Sequence, residues 1–217
     1  MYKESVPLRK FKELDDWETV MFLYKSALKQ INTKIEILND EFQHRHRYNP
    51  IEHVKSRIKT PESIVKKLKR HDYDSSIENM VRYVNDIAGI RITCSFTSDI
   101  YLIADMIAQQ NDLTILAIKD YMKNPKKSGY RSYHMLVTVP VFLSDIVVDT
   151  KVEIQIRTVA QDFWATLEHK MHYKFEGDGP DSITKELREC ARSIAELDAR
   201  MQELNNEIQK YGKMPNG

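Results

Sequence analysis

The sequence predicts a sheet domain of the α/β or α+β class, because short strand-like runs alternate with helical stretches through its middle. Apolar residues at helical spacing mark a long helix near each end of the chain. A length of 217 residues is enough for one substantial hydrophobic core. We therefore expect a single domain over residues 1–217, with an N-terminal helix at 12–45 and a C-terminal helix at 183–211.

The terminal helices are predicted from apolar residues that recur every three or four positions. In the first helix these are Leu28, Ile31, Ile35, Leu38 and Phe42. In the second they are Cys190, Ile194, Leu197, Met201, Leu204 and Ile208. This second series fits a coiled-coil seam and helix packing on the parent domain equally well.

Shorter apolar runs predict the middle of the chain. Helices are expected around 61–71, 76–87, 98–110 and 158–174, and strands at 90–96, 114–119, 132–141 and 151–157. The tract GDGPDS at 177–182 is expected to be a linker. Cys94 lies in an apolar run and is expected to be buried, and together with Cys190 it gives neither a disulfide framework nor a zinc ligand cluster.

Charge and composition limit the classes of function. A net charge of +1 argues against a protein that coats nucleic acid, so nucleic acid is not an expected partner. The sequence has no apolar run long enough to cross a membrane and no signal-peptide core, so we expect a cytoplasmic protein with no membrane partner. Residues 54–70 and 119–134 are rich in Lys and Arg, which favours a concentrated anion site or, on charge alone, a solvated helix face and loop.

Alternation in three of the strands predicts a polar face of the sheet. The residues expected there are Glu153, Gln155, Arg157, Arg91, Ser132 and His134, with Asp86 at the rim. The apolar residues between them, such as Ile154, are expected to point to the core. We interpret the polar face as a cleft that holds two carboxylates and several cations, and an exposed polar sheet face is the alternative.

Two glycines mark positions of special backbone geometry. Only Gly89 and Gly129 precede residue 177, and each lies beside charged residues. Glycine serves where φ is positive or where the backbone approaches a ligand closely, although a plain turn explains either one alone.

The expected cleft suits one kind of chemistry. Asp86 and Glu153, together with nearby Lys and Arg residues, suit Mg²⁺ bound to a nucleoside triphosphate, since this ion prefers oxygen ligands and typically takes one or two carboxylates along with phosphates. Tyr130 offers a flat surface on which a base could stack. The sequence lacks the G-x-x-x-x-G-K-[ST] loop of P-loop enzymes.

Five segments, in this order, resemble the synthetase domain of RelA/SpoT-type enzymes. They are SRIKTPESIVKKL (56–68), DIAGIRI (86–92), KDYMKNPKKSGYRSYH (119–134), EIQIRT (153–158) and FWATLEHKMHYK (163–174). The chain is most similar in these segments to the small alarmone synthetases. The resemblance implies an α+β fold, with a mixed sheet flanked by helices as in nucleotidyltransferases. It also implies Mg²⁺-dependent transfer of a diphosphate from ATP to the 3′-hydroxyl of GTP or GDP, with release of AMP.

The resemblance further implies roles for individual residues. Asp86 and Glu153 are expected to hold Mg²⁺, and Glu153 to assist deprotonation of the acceptor. The residues expected to bind ATP are Arg57 and Arg91, around the adenine, and Lys59, Ser63 and Lys67, at the phosphates. Those expected to bind GTP or GDP are Tyr130 at the base, Lys126 and His134 at the phosphates, Gln155 at the ribose, and Lys119.

The resemblance also bears on regulation and assembly. Residues such as His53, Lys55 and Asp162 are closer to the RelP-type branch than to the RelQ-type branch, which alarmone activates. We therefore expect weak or absent activation by pppGpp. A homotetramer is implied as well, to which the terminal helices could contribute.

Other readings of the sequence remain open. The dipeptide His71-Asp72 matches the name of HD-type hydrolases but lacks further partners, so synthesis without hydrolysis is expected. His169 and His172 lie on one helix face, where metal binding competes with packing or substrate contact. A nucleotidyltransferase that transfers a nucleoside monophosphate, and a non-catalytic nucleotide- or RNA-binding module, are the alternative functions.

Overall fold

The structure is a computed structural model that describes residues 16–46, 48–174 and 181–212. The helices are α1 (Trp17–His46), α2 (Pro61–Arg70), α3 (Ile77–Tyr83), α4 (Thr97–Ala108), α5 (Val159–Lys174) and α6 (Asp181–Gly212). The strands are β1 (Ile51–Ile58), β2 (Ala88–Cys94), β3 (Thr114–Asp120), β4 (Tyr133–Phe142) and β5 (Val147–Thr158).

The five strands form one mixed sheet in the order β1-β2-β5-β4-β3. Strands β2 and β5 run parallel, and every other neighbouring pair is antiparallel. Helices α1 and α4 pack against one face of the sheet and cover the core residues of β5, such as Ile154. The sequence places apolar side chains at every second position of β5, so the polar side chains between them lie on the opposite face.

Strand β1 has no counterpart among the predicted elements. Only its ends, Ile51 and Ile58, and Val54 are apolar, and most of the strand is exposed. An edge strand of this kind lacks the alternating burial by which a sequence reveals a strand. Its partner β2 begins at Ala88 rather than at residue 90 and ends at Cys94, which is buried as expected.

Other element boundaries also differ from expectation. Helix α3 ends at Tyr83 instead of residue 87, and the backbone is already extended at Val84. Strand β5 begins at Val147, four residues before its predicted start. Residues 12–15 of the expected N-terminal helix and 177–180 of the expected linker lie outside the described residues, while residues 181 and 182 begin α6.

Helix α6 is fixed to the domain by hydrogen bonds along much of its length, the last of them from Thr97 and Ser98 of α4 to Gln202. The indole Nε1 of Trp164 in α5 donates to the Leu187 carbonyl at 3.0 Å. Asp198 accepts hydrogen bonds from Thr158 and Gln161 at 2.8 Å each, which ties α6 to the start of α5. The second half of α6 exposes an apolar stripe, defined as Leu197, Met201, Leu204 and Ile208.

Gly129 lies where α6 meets the loop before β4. Its φ of +90° is unfavourable for any residue with a Cβ atom. A Cβ at this position would stand 2.5 Å from Cβ of Ala191 in α6. Both the turn and the helix contact therefore require glycine, whereas Gly89 lies within β2 and does not have a positive φ.

Candidate active site

A row of polar side chains crosses the open face of the sheet. Residues that are partners in register share a face, so the pairings across the five strands define this row. From β1 to β3 it consists of Lys55, Arg91, Gln155, His134 and Lys119. Four positive or ionisable groups thus flank one amide in a line across the whole sheet.

A second row lies beside the first. Arg57 on β1 is partnered by Gly89 on β2, which is partnered by Glu153 on β5. Since Gly89 has no side chain, the Arg57 side chain lies over it, with Cγ 3.8 Å and Nε 3.9 Å from where a Cβ would stand. A cleft of about 220 Å³ lies over this point, and its lining includes Asp86, Glu153 and Arg91. The two carboxylates, far apart in sequence, therefore open onto one cavity.

Asp86 is held by two lysines from neighbouring elements. Nζ of Lys59 lies 2.8 Å from Oδ2, and Nζ of Lys67 lies 2.8 Å from Oδ1. Thr60 caps the start of α2 by accepting a hydrogen bond from the Ser63 amide. Lys59 therefore lies just before the helix. Lys67 lies in its last turn. Burial raises the Asp86 pKa, but the two lysines outweigh it and the pKa lies below its usual value.

Glu153 is linked to Tyr130 through a histidine. Nδ1 of His134 lies 3.7 Å from Oε1 of Glu153, and its Nε2 lies 2.9 Å from the Tyr130 hydroxyl. Burial raises the Glu153 pKa, but the hydrogen bonds from His134 and Gln155 outweigh it and leave the pKa below its usual value.

Two cations lie close to the ring of Tyr130. Nζ of Lys126 lies 4.7 Å from the centre of the Tyr130 ring, and the Arg157 guanidinium lies 5.6 Å from it. Lys126 is exposed, whereas Arg157 is only 2% exposed. Arg157 also donates through Nη2 to Oε1 of Gln155 at 3.0 Å. One of the two cations is thus fixed and the other faces solvent.

The remaining predicted site residues lie around the cleft. Arg57 is exposed on β1 and lines the cleft, and Ser63 lies at the first turn of α2. Lys119 is exposed at the end of the polar row. Ser132 differs from expectation because it is fully buried and donates to the Ile156 carbonyl at 3.1 Å, so it is not part of the open face.

Three further polar residues lie at the site, although the sequence assigned a binding or catalytic role to none of them. Arg157 and Lys151 are buried on the polar side of β5, and Asp162 begins α5 next to Arg157. Nζ of Lys151 donates to Oδ1 of Asn85 at 2.7 Å and to the Arg82 carbonyl at 3.2 Å, and burial lowers its pKa to about 8. The two-residue alternation predicts on which face of the sheet a strand residue lies. It does not predict which helices or loops pack over that face and bury the residue.

The donor atoms in the cleft suit a metal only in part. The described ranges contain no group of three or more His, Cys, Asp and Glu residues able to hold an ion. Asp86 and Glu153 supply carboxylate oxygens on their own, which fits Mg²⁺ that takes its remaining ligands from phosphates and water. His169 is exposed, and the side chain of His172 lies outside the described residues. No helix within the described part of the chain is long and apolar enough to span a membrane.

Comparison with known proteins identifies the family. The sequence pattern described as a region found in RelA / SpoT proteins matches residues 56–178, more than half of the chain. The chain belongs to the RelA/SpoT family. It is 45% identical over 195 residues to the GTP pyrophosphokinase YwaC of Bacillus subtilis, covering 90% of this chain and 93% of that protein.

Solved structures agree with this family assignment. Small alarmone synthetase 2 from Bacillus subtilis superposes with a TM-score of 0.81 at 45% identity, covering 88% of this chain and 99% of that one. Small alarmone synthetase 1 from the same organism, bound to its product pppGpp, gives 0.82 at 34% identity, with coverage of 89% and 98%. These matches confirm the predicted mixed α+β fold and the resemblance to small alarmone synthetases. The finer assignment of this RelA/SpoT-family chain to the RelP-type branch stays a prediction.

Proposed function

We propose that this RelA/SpoT-family protein is a GTP diphosphokinase that transfers the β,γ-diphosphate of ATP to the 3′-hydroxyl of GTP or GDP, making pppGpp or ppGpp. The observation that carries the proposal is the convergence of Asp86 and Glu153 on one cleft lined with cations. A triphosphate and a second nucleotide carry enough negative charge to match this surplus of Lys and Arg. The relatives of similar length are named GTP pyrophosphokinase or small alarmone synthetase, which supports the same activity.

The donor nucleotide occupies the side of the cleft formed by β1, β2 and α2. Arg57 and Arg91 bracket the adenine, since both residues line the cavity. Lys59, Ser63 and Lys67 bind the phosphates, because two of them already converge on Asp86 and Ser63 lies at the start of α2. ATP phosphates therefore replace Asp86 as the partner of the two lysines.

The acceptor occupies the side formed by β4, β3 and the loop before β4. Guanine stacks on Tyr130, and Gln155 lies close to the ribose. Stacking requires one ring face of Tyr130, and Lys126 can leave that ring more easily than the buried Arg157. Lys126 then joins His134 and Lys119 in binding the acceptor phosphates. The displaced ammonium thus moves from a ring to an anion.

The reaction is an in-line displacement at the β-phosphorus of ATP. The acceptor 3′-oxygen forms a bond to this phosphorus, and the bond from the phosphorus to the oxygen that bridges to the α-phosphate breaks. AMP leaves with that oxygen, and the acceptor proton passes to Glu153. Most of the rate enhancement comes from holding the two nucleotides in line and from neutralising charge with Lys and Arg.

Asp86 and Glu153 are the residues that would hold Mg²⁺. Their lowered pKa values keep both ionised at neutral pH, as ligands of a divalent cation must be. When bound, the ion would neutralise charge on the transferred diphosphate. Glu153 is a weak base for the same reason, so its service as proton acceptor depends on its position beside the 3′-hydroxyl.

Product analysis tests the proposal. The purified protein is incubated with ATP, GTP or GDP, and Mg²⁺, and the products are separated by ion-exchange chromatography. AMP and a guanosine 3′-diphosphate are expected, whereas release of inorganic diphosphate would mean transfer of a nucleoside monophosphate. Glu153→Gln and Asp86→Asn should remove activity. Nucleotide binding by the intact protein without any product would favour a non-catalytic module.

Further properties follow from the same proposal. We expect synthesis without hydrolysis, in the cytoplasm, where both nucleotide substrates occur. We also expect a homotetramer, and the apolar stripe of α6 supports it because such a surface favours burial between copies. Weak or absent activation by pppGpp stays a prediction, and a several-fold rate increase on adding micromolar pppGpp would contradict it.

A further inference from the structure

One carboxylate contacts an arginine on each side of the cleft. Oδ1 of Asp162, at the start of α5, lies 3.3 Å from Nη1 of Arg91 and 3.6 Å from Nε of Arg157. Arg91 extends from β2 on the donor side. Arg157 extends from β5 and reaches Tyr130 and Gln155 on the acceptor side. The two arginines are close enough to repel each other, and Asp162 offsets this repulsion.

The contacts of Asp162 are electrostatic and incompletely hydrogen-bonded. Oδ1 of Asp162, Nε of Arg91 and Nε of Arg157 are all buried, and none of them has a hydrogen-bond partner among the described residues. Buried polar atoms are normally paired, so an unpaired set at one point calls for an explanation. A carboxylate shared between two guanidinium groups can shift toward either one without breaking a hydrogen bond.

The two arginines differ in freedom. The Arg91 side chain is 32% exposed and lines the cleft, so it can turn toward a bound adenine. The Arg157 side chain is 2% exposed and donates to Gln155, so it has less freedom to move than Arg91 but is still free to adjust its position near Tyr130. Withdrawal of Arg91 from Asp162 therefore leaves the whole carboxylate charge to Arg157.

We propose that Asp162 is a positioning residue that couples the two nucleotide subsites. The inference rests on the proposed function, because that function assigns Arg91 to the donor and Tyr130 to the acceptor. Binding of ATP draws Arg91 onto the adenine and releases Asp162 to Arg157. The strengthened Asp162–Arg157 pair fixes Arg157 beneath the Tyr130 ring and beside Gln155. The acceptor then finds its base and ribose contacts already in place, so ATP tightens acceptor binding, and by linkage the acceptor tightens ATP binding equally.

Calorimetric binding measurements test the coupling without chemistry. GDP is titrated into the intact protein with Mg²⁺, alone and with a saturating non-hydrolysable ATP analogue whose α,β-bridge is a methylene. In the wild type the analogue is expected to lower the GDP Kd by at least about five-fold, the lower end of typical coupling between sites. In Asp162→Asn this factor should fall toward one, because the amide fits the same space but has no charge to redistribute.

Matched variants separate positioning from general structure. Asp149→Asn removes a carboxylate from the exposed far end of β5 and should keep the wild-type coupling. Arg157→Lys keeps a cation but cannot reach Tyr130, Gln155 and Asp162 together, so it should weaken GDP binding and reduce the coupling while ATP-analogue binding alone changes little. This second variant also serves if Asp162→Asn fails to fold.

The outcomes are distinguishable. Wild-type coupling that persists in Asp162→Asn or in Arg157→Lys would overturn the inference, as would a wild type that binds both nucleotides independently. A wild type that makes no guanosine 3′-diphosphate would overturn the proposed function instead. Loss of coupling in Asp162→Asn, with unchanged thermal unfolding and with coupling kept in Asp149→Asn, would support the role of Asp162.

Discussion

Replacing Gly129 by alanine is expected to destabilise the protein and weaken acceptor binding together. The added Cβ would stand 2.5 Å from Cβ of Ala191, closer than two carbon atoms can approach, and the loop backbone has a φ of +90°. A residue with a Cβ in this region of φ costs about 1–2 kcal/mol, and overpacking of this kind costs about 1–3 kcal/mol. The two effects together predict a loss of about 2–5 kcal/mol in the free energy of unfolding.

The size of the two contributions can be separated by a second substitution. Ala191→Gly removes the atom that the new Cβ would meet, at a cost of about 1 kcal/mol for glycine within a helix. The double variant Gly129→Ala/Ala191→Gly should therefore be more stable than the sum of the single effects predicts, by about 1–3 kcal/mol. The backbone cost remains in the double variant, because Ala191→Gly does not change φ at position 129.

Urea unfolding of the four proteins measures this cycle, and steady-state kinetics measures its effect on the site. Gly129 directly precedes Tyr130, so the KM for GTP or GDP should rise more than the KM for ATP. Single-variant effects that add within about 0.5 kcal/mol would refute the proposed clash with α6. Equal changes in both KM values would refute the link between this contact and the acceptor subsite.

Three further changes test other parts of the molecule. Glu153→Gln should lower kcat by at least about 100-fold with little change in the thermal midpoint, whereas Glu36→Gln on the exposed side of α1 should leave both unchanged. Lys151 has its pKa lowered from 10.5 to about 8, so the unfolded chain binds more protons between these values and stability should rise with pH there, by at most about 3 kcal/mol. Urea unfolding from pH 7 to 10 should show this rise in the wild type and not in Lys151→Met, and the same rise in both proteins would contradict the burial argument. Leu204→Glu in the apolar stripe should reduce the mass measured by light scattering without lowering the thermal midpoint, because Leu204 is exposed within the chain itself, and an unchanged mass would remove the stripe as an interface.

The predictable parts of the fold are those with strong local patterns. Strand β5 alternates apolar and polar residues, so its core face and its polar face both follow from the sequence. The same alternation correctly placed Glu153, Gln155 and Arg91 on one face, and the order of the five resembling segments indicated the family. Strand β1 was missed because its apolar residues Ile51, Val54 and Ile58 are too few and too irregularly spaced to show a two-residue period.

The site features that could not be predicted depend on contacts between distant segments. Arg157 was placed on the polar face, but its burial arises from α5 and Tyr130, which no period in β5 encodes. The need for glycine at position 129 comes partly from Ala191, which belongs to a helix much later in the chain. Asp162 looks like an ordinary helix-start acid until the positions of Arg91 and Arg157 are known.

The two lysines on Asp86 also bear on how the metal reaches the protein. An ammonium group lies 2.8 Å from each carboxylate oxygen of Asp86. A divalent ion without a nucleotide must therefore displace both lysines, and it offers them no other anion to pair with. A bound triphosphate removes this difficulty, because its phosphates pair with the two lysines while the metal ion binds the Asp86 carboxylate. We therefore expect Mg²⁺ to bind as a complex with its nucleotide. The nucleotide-free protein should bind little Mg²⁺ when the free magnesium concentration changes.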